Sequence, residues 1–325
     1  MSLPCLSIIV PVYNEEAVLD ELHRRLTTVV RDLETTYEIL YVNDGSRDRS
    51  MDLLEGMARQ DPHVRVIQFA RNFGHQVAIT AGMDHAQGEA VVVIDADLQD
   101  PPELIGPMLA KWREGYDVVY AVRERRDGDS YFKRTTAALF YRVLKRITHV
   151  DIPLDTGDFR LMSRRAIEAM KLFNERNRFV RGLVSWIGFK QTGITFVRAE
   201  RFAGETKYPL KKMLRFAMDG IVTFSFVPLQ MATYLGFLVS GLSFLGILWV
   251  IYMRIFTQET IVGWASLMAI ALFLGGVQLI TLGVIGEYIG RIYDEVKHRP
   301  LYLIQERLGF EHGSEKPGNL NVFER

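Results

Sequence analysis

Residues 91–103 read V-V-V-I-D-A-D-L-Q-D-P-P-E. Val91, Val92, Val93 and Ile94 are β-branched and apolar, the composition of a strand buried on both faces, and the run stops at Asp95, Asp97 and Asp100. A carboxylate pair therefore falls at the carboxyl end of a central strand, the edge where open α/β sheets bind ligands. Asp95 and Asp97 are two residues apart, so a regular strand points them the same way and the following turn can bring both onto one cation. Hard oxygen ligands favour Mg²⁺ or Mn²⁺. The competing reading makes them caps for the helix that Pro101 and Pro102 open.

Upstream, residues 6–13 read as a first strand and 14–33 as a loop passing into an amphipathic helix. A second strand over 37–42 ends in the turn N-D-G-S at 43–46, and a helix follows to about residue 59. A strand over 64–69, a helix over 73–86, the strand over 90–94, a helix over 101–113 and a strand over 117–122 complete the alternation. That order predicts a mostly parallel sheet with helices on both faces, a Rossmann-like α/β domain. No G-x-G-x-x-G follows the first strand and no Walker A occurs, which disfavours dinucleotide dehydrogenases and P-loop NTPases.

Downstream, 123–133 is a charged stretch with the character of a lid or a solvated connection, and an amphipathic helix follows to about residue 148. Residues 155–162 read D-T-G-D-F-R-L-M, in which Gly157 permits close backbone approach and Asp158 precedes an apolar segment. A helix to about 173, a strand over 188–197 and a polar loop over 198–207 come next.

The chain has 325 residues, 48% of them apolar, and a formal net charge of zero, which gives no sign of a nucleic-acid binder. Its single cysteine, Cys5, excludes an intramolecular disulfide and a cysteine-cluster metal site. Residues 220–253 and 260–286 contain no Asp, Glu, Lys or Arg, and a helix needs roughly 20 apolar residues to cross a bilayer. The segment 209–227 mixes Lys211, Lys212 and Arg215 with Leu, Met, Ile and Phe, which suits a helix in the lipid headgroup layer. The expected organisation is a cytosolic domain over 1–208, the interfacial helix over 209–227, and two spans at about 228–253 and 261–285 within 228–290. A cytosolic tail follows over 291–325. Basic flanks on both sides of the hairpin place both termini in the cytosol by the positive-inside rule. Gly275, Gly276, Gly283, Gly286 and Gly290 predict close helix contacts, within the hairpin or between subunits of an oligomer.

P-V-Y-N-E-E at 11–16, V-N-D-G-S at 42–46, I-D-A-D-L-Q-D-P-P at 94–102 and the two C-terminal spans form an ordered set. Together they resemble glycosyltransferase family 2 enzymes of the GT-A fold, in particular the polyprenyl-phosphate glycosyltransferases. The segment L-G-V-I-G-E-Y-I-G-R-I-Y-D-E-V at 282–296 looks most like the bactoprenol glucosyltransferase branch. The resemblance implies that Pro11, Tyr13, Glu15, Val42 and Asp44 line the nucleoside of a nucleotide sugar, with Asn43 where many relatives have Asp. It implies Mg²⁺ or Mn²⁺ on Asp95, Asp97 and Gln99, with Ala96 between the aspartates and Arg123 on the donor phosphates. Arg201 and Lys207 match a basic loop, with Thr206 replacing the usual Ser, that receives either the donor diphosphate or an anionic lipid headgroup. Asp158 matches an aspartate assigned as catalytic base, although a phosphate monoester with a second pKa near ~6 needs little proton removal. The implied reaction is inverting transfer of one sugar, from UDP-glucose, to undecaprenyl phosphate at the cytosolic face of the plasma membrane by a homo-oligomer. Another nucleotide sugar, a modified arabinose or GDP-mannose, and a catalytically silent membrane scaffold are the competing readings.

Overall fold

The computed structural model describes residues 4–124, 156–173, 175–176, 178–197, 227–256 and 263–310. Segments 125–133 and 209–226, the positions Arg201, Thr206, Lys207 and Glu259, and the tail beyond 310 lie outside the described residues.

The α/β alternation appears as predicted: β1 (Leu6–Val12), α1 (Leu19–Asp32), β2 (Tyr37–Asn43), α2 (Ser50–Gln60), β3 (Val64–Phe69), α3 (His75–His85), β4 (Ala90–Val93), a 3₁₀ turn (Pro102–Leu104), α4 (Ile105–Arg113) and β5 (Val118–Arg123). Then come β6 (Thr156–Ser163), α5 (Arg164–Lys171), α6 (Val180–Trp186), β7 (Gln191–Phe196), α7 (Val227–Phe256), α8 (Trp264–Val296) and β8 (Ile304–Leu308). The eight strands form one sheet in the order β7-β5-β6-β4-β1-β2-β3-β8. Strands β4, β1, β2 and β3 run parallel, so their carboxyl ends share one edge. Every residue of β1 and β4 is buried, which explains the unbroken apolar runs: helices cover both faces.

Two strands depart from the sequence reading. β6, where close backbone approach at Gly157 and an apolar segment after Asp158 were expected, inserts antiparallel between β4 and β5. Its Asp158 and Arg160 are each 4% exposed and two residues apart in the strand, so paired charge replaces the expected alternation of apolar and solvated residues. β8 lies within the stretch expected to be a trailing tail, yet it pairs antiparallel with β3. I-Q-E-R-L is short, with a polar, exposed centre between half-buried Ile304 and Leu308, as suits an edge strand with a neighbour on one side only. Residues 300–310 therefore group with the sheet and not with a separate tail, and Tyr302 secures them. Its ring stacks on Phe69 at 5.1 Å between centroids, and its hydroxyl donates to Asp84 at 3.0 Å.

α7 and α8 make a second unit. The stretches Leu229–Met253 and Phe273–Val296, with mean hydropathies of 2.1 and 1.4, are long and apolar enough to cross a membrane. α8 runs eleven residues past the expected end at 285, because the polar G-E-Y-I-G-R-I-Y-D-E-V remains helical. A Cβ at Gly275, Gly276, Gly283, Gly286 or Gly290 would meet nothing within 4 Å, so these glycines mediate no packing within the hairpin among the described residues.

Candidate active site

The parallel register brings the ends of β1, β2 and β4 to one edge, where backbone hydrogen bonds stitch their loops together. Asp44 N donates to Val12 O at 2.8 Å, Asn14 N to Ser46 Oγ at 3.0 Å and Arg47 N to Asn14 Oδ1 at 2.8 Å. Glu15 N donates to Ser50 Oγ at 3.0 Å, and Ser46 N to Asn43 Oδ1 at 3.1 Å. Tyr13 emerges 44% exposed, an aromatic face open at this edge. Pro11 and Val42 are register partners with buried side chains, so they contribute sheet core there.

Asp44 has a structural part at this edge. It is 3% exposed, and its carboxylate accepts from Phe73 N at 2.6 Å and Gly74 N at 3.0 Å. Burial pushes its carboxyl above the usual 3.8 while those amides work against the shift. The adjoining Gly45 has φ +66°, and a Cβ there would lie 2.5 Å from the Arg71 carbonyl carbon. The N-D-G turn thus clamps the loop over 71–74, and that loop delivers His75 at the start of α3.

His75 is the residue the sequence reading missed. Its Nε2 lies 3.3 Å from Asp95 Oδ1 and 3.3 Å from Asp158 Oδ2. Burial disfavours the imidazolium, but the two carboxylates outweigh it and push the imidazole up to about 10. Asp158 is gripped further: Arg181 donates from Nε to Oδ1 at 2.8 Å and from Nη2 to Oδ2 at 3.1 Å, and Gln76 Nε2 donates to Oδ2 at 3.3 Å. Arg160 Nη2 stands 3.9 Å away and donates to Gly157 O at 2.9 Å. Burial opposes ionisation of Asp158, yet the hydrogen bonds from His75 and Arg181 hold its carboxyl far below the usual range. Burial likewise pushes Arg160 down to about 10, against the attraction of Asp158. A carboxylate held this way is a poor proton acceptor at neutral pH.

The metal-motif residues divide. Asp97 Oδ1 accepts from Gln99 N at 3.1 Å, closing a turn in which Leu98 has φ 58°; Ala96 is 4% and Gln99 8% exposed. Among the described residues, the histidine and carboxylate atoms that converge as ligands would, all within 4.8 Å, belong to His75, Asp95 and Asp158; Asp97 is not in that group. Asp95 fits a divalent cation, for its Oδ1 is a hard donor, buried, with no hydrogen-bond partner. Asp158 fits less well, because two guanidinium groups already face it. Arg123, ending β5, stands 3.9 Å from Asp100 Oδ1, and Gly157 makes room for it: a Cβ there would lie 2.9 Å from Arg123 Nη2.

Comparison with known proteins agrees with this architecture. Residues 7–171 match glycosyl transferase family 2, and residues 227–292 match the GtrB C-terminal hairpin. The chain is 60% identical over 306 residues to the uncharacterized glycosyltransferase YkcC of Bacillus subtilis, covering 94% of this chain and 95% of that one. It is 44% identical over 300 residues to the bactoprenol glucosyl transferase of Shigella phage SfV, covering 92% and 98%. Among solved structures, glucosyl-3-phosphoglycerate synthase from Mycobacterium tuberculosis is a remote likeness, with 19% identity over 68% of this chain and 78% of that one and a TM-score of 0.46. With its sheet domain and its apolar helix pair each matched, the chain belongs to glycosyl transferase family 2.

Proposed function

We propose that this glycosyltransferase moves one glucose from UDP-glucose to undecaprenyl phosphate at the cytosolic face of the plasma membrane. The observation that carries the reading is the union, in one chain, of an acidic ligand edge with two helices apolar enough to enter a bilayer. An acceptor whose polyprenyl tail stays in the membrane needs an enzyme held there. Relatives spanning nearly the whole chain and named bactoprenol glucosyl transferases support the same acceptor and sugar.

In this reading Tyr13 and Glu15 meet the base and ribose, and Arg123 meets the donor phosphates. Asp95, with Asp97 and Gln99, would hold Mg²⁺ or Mn²⁺, whose chemistry there is to neutralise charge growing on the leaving nucleoside diphosphate. An oxygen of the lipid phosphate attacks the anomeric carbon as the bond to UDP breaks, and the bonding pair leaves with the diphosphate. The configuration inverts. Since the lipid phosphate is largely ionised at pH 7, its second pKa being near ~6, no protein base is required. Arg201 and Lys207 receive an anionic phosphate, of the donor or of the lipid. Both termini are cytosolic, and the glycine face of α8 meets a second copy of the chain.

Radiolabel transfer from a panel of nucleotide sugars into an organic-extractable, mild-acid-labile product tests this. Label from UDP-glucose alone is expected. Label from GDP-mannose or an arabinose donor instead reassigns the sugar, and none from any donor favours a silent scaffold.

A further inference from the structure

Asp95 makes no hydrogen bond through its buried Oδ1, and the contact that fixes it is His75 Nε2 at 3.3 Å. His75 in turn is held twice. Its backbone entry is pinned where Asp44 accepts from Phe73 N and Gly74 N, and its ring meets Asp158 Oδ2 at 3.3 Å. Asp158 stands on β6, whose register with β4 and β5 fixes the strand from both sides.

An ionised carboxylate offers about four acceptor directions. At Asp158 the Oδ2 directions are crowded by Arg181 Nη2, Gln76 Nε2 and His75 Nε2, while Oδ1 accepts from Arg181 Nε and keeps one direction toward Arg160 Nη2 at 3.9 Å. The carboxylate ties the start of α3 to the start of α6, on a side chain 5% exposed, and offers little to a substrate.

Resting on the functional reading above, we propose that Asp158 is a positioning residue that acts through His75 to fix the Asp95 carboxylate for a divalent cation. Histidine is the relay: one ring nitrogen touches both carboxylates, so moving either moves the other. Outer groups that orient a ligand typically change metal affinity about 10–100-fold when removed.

The test is Mn²⁺ binding by the full-length chain in detergent, followed by electron paramagnetic resonance, for wild type, Asp158→Asn, His75→Gln and the double variant. UDP binding in chelator serves as the folding control, and a variant that fails it is set aside in favour of the other single variant. Each single variant is expected to weaken Mn²⁺ binding about 10–100-fold. The double variant should be no weaker than the worse single one, because both break the same relay. Wild-type Mn²⁺ affinity in Asp158→Asn with turnover lost overturns the proposal and returns Asp158 to the substrate. Unchanged affinity in His75→Gln, or no Mn²⁺ binding by the wild type, overturns it as well. A wild type that binds Mn²⁺ but transfers no glucose sinks the functional reading and leaves the relay standing.

Discussion

Arg181 grips Asp158 with two parallel hydrogen bonds, Nε to Oδ1 at 2.8 Å and Nη2 to Oδ2 at 3.1 Å. A fork of this geometry is among the stronger polar contacts a protein makes. Here it joins a helix to a strand across 23 residues of sequence. Asp158→Ala takes from Arg160, itself 4% exposed, one of the two carboxylates that offset its charge, leaving Asp95. Truncating one partner of a buried pair costs about 3–5 kcal/mol. Arg181→Ala should cost less, since His75 and Arg160 still face the carboxylate. Denaturant unfolding of the two variants checks the order.

A second ion pair lies at the amino end of the sheet. Asp117, 3% exposed, accepts from Ser163 Oγ at 2.9 Å and from the Arg165 guanidinium. The Arg165 hydrogen bonds outweigh burial and hold its carboxyl below the ordinary 3.8. A depressed carboxylate stabilises the fold above its unfolded value, so this contribution is complete above pH 3.8 and fades as the pH falls below it. Arg165 has a side chain 67% exposed, so solvent screens the pair and keeps its contribution small. Asp117→Asn should lower the melting temperature slightly at pH 7, with the gap from wild type closing in acid.

The returning strand β8 depends on Tyr302. Tyr302→Phe removes the hydrogen bond to Asp84, worth about 0.5–1.5 kcal/mol. Tyr302→Ala also removes the stack on Phe69, for a total of about 3–5 kcal/mol by analogy with other aromatic truncations. Limited proteolysis should cut after residue 300 far faster in Tyr302→Ala than in Tyr302→Phe. Equal rates would contradict the clamp.

Gly276 and Gly283 lie seven residues apart on α8 with open space where a side chain would stand. Gly283→Leu therefore costs the hairpin little. If the glycine face meets a second copy, the substitution should shift the mass in mild detergent from oligomer toward monomer, as read by light scattering. An unchanged mass would remove this face from the interface.

Much of this was legible in the residues. V-V-V-I followed by D-A-D announces a buried strand ending at a ligand edge, and the uncharged runs announce the two long helices. Spacing alone could not show that Asp44 holds the loop over 71–74, because a side chain's partners come from elsewhere in the chain. His75 and Arg181 reach Asp158 from 83 and 23 residues away. The Asp158–Arg160 spacing carried a usable signal, since residues two apart in a strand share a face, but two charges in a central strand mimic a turn. β8 was hidden because the three central residues of its five, Gln305, Glu306 and Arg307, are polar and exposed.

In the proposed function a cation held at Asp95 serves sugar transfer to a polyprenyl phosphate. The initial rate of glucosyl lipid formation by the purified chain, with UDP-glucose and undecaprenyl phosphate, measured during chelator titration, tests it most directly. The rate is expected to vanish in excess chelator, to return with Mn²⁺ or Mg²⁺, and in Asp95→Asn to stay at least about 100-fold low at any ordinary metal concentration. Full turnover in excess chelator, or an Asp95→Asn variant as fast as wild type, would contradict it.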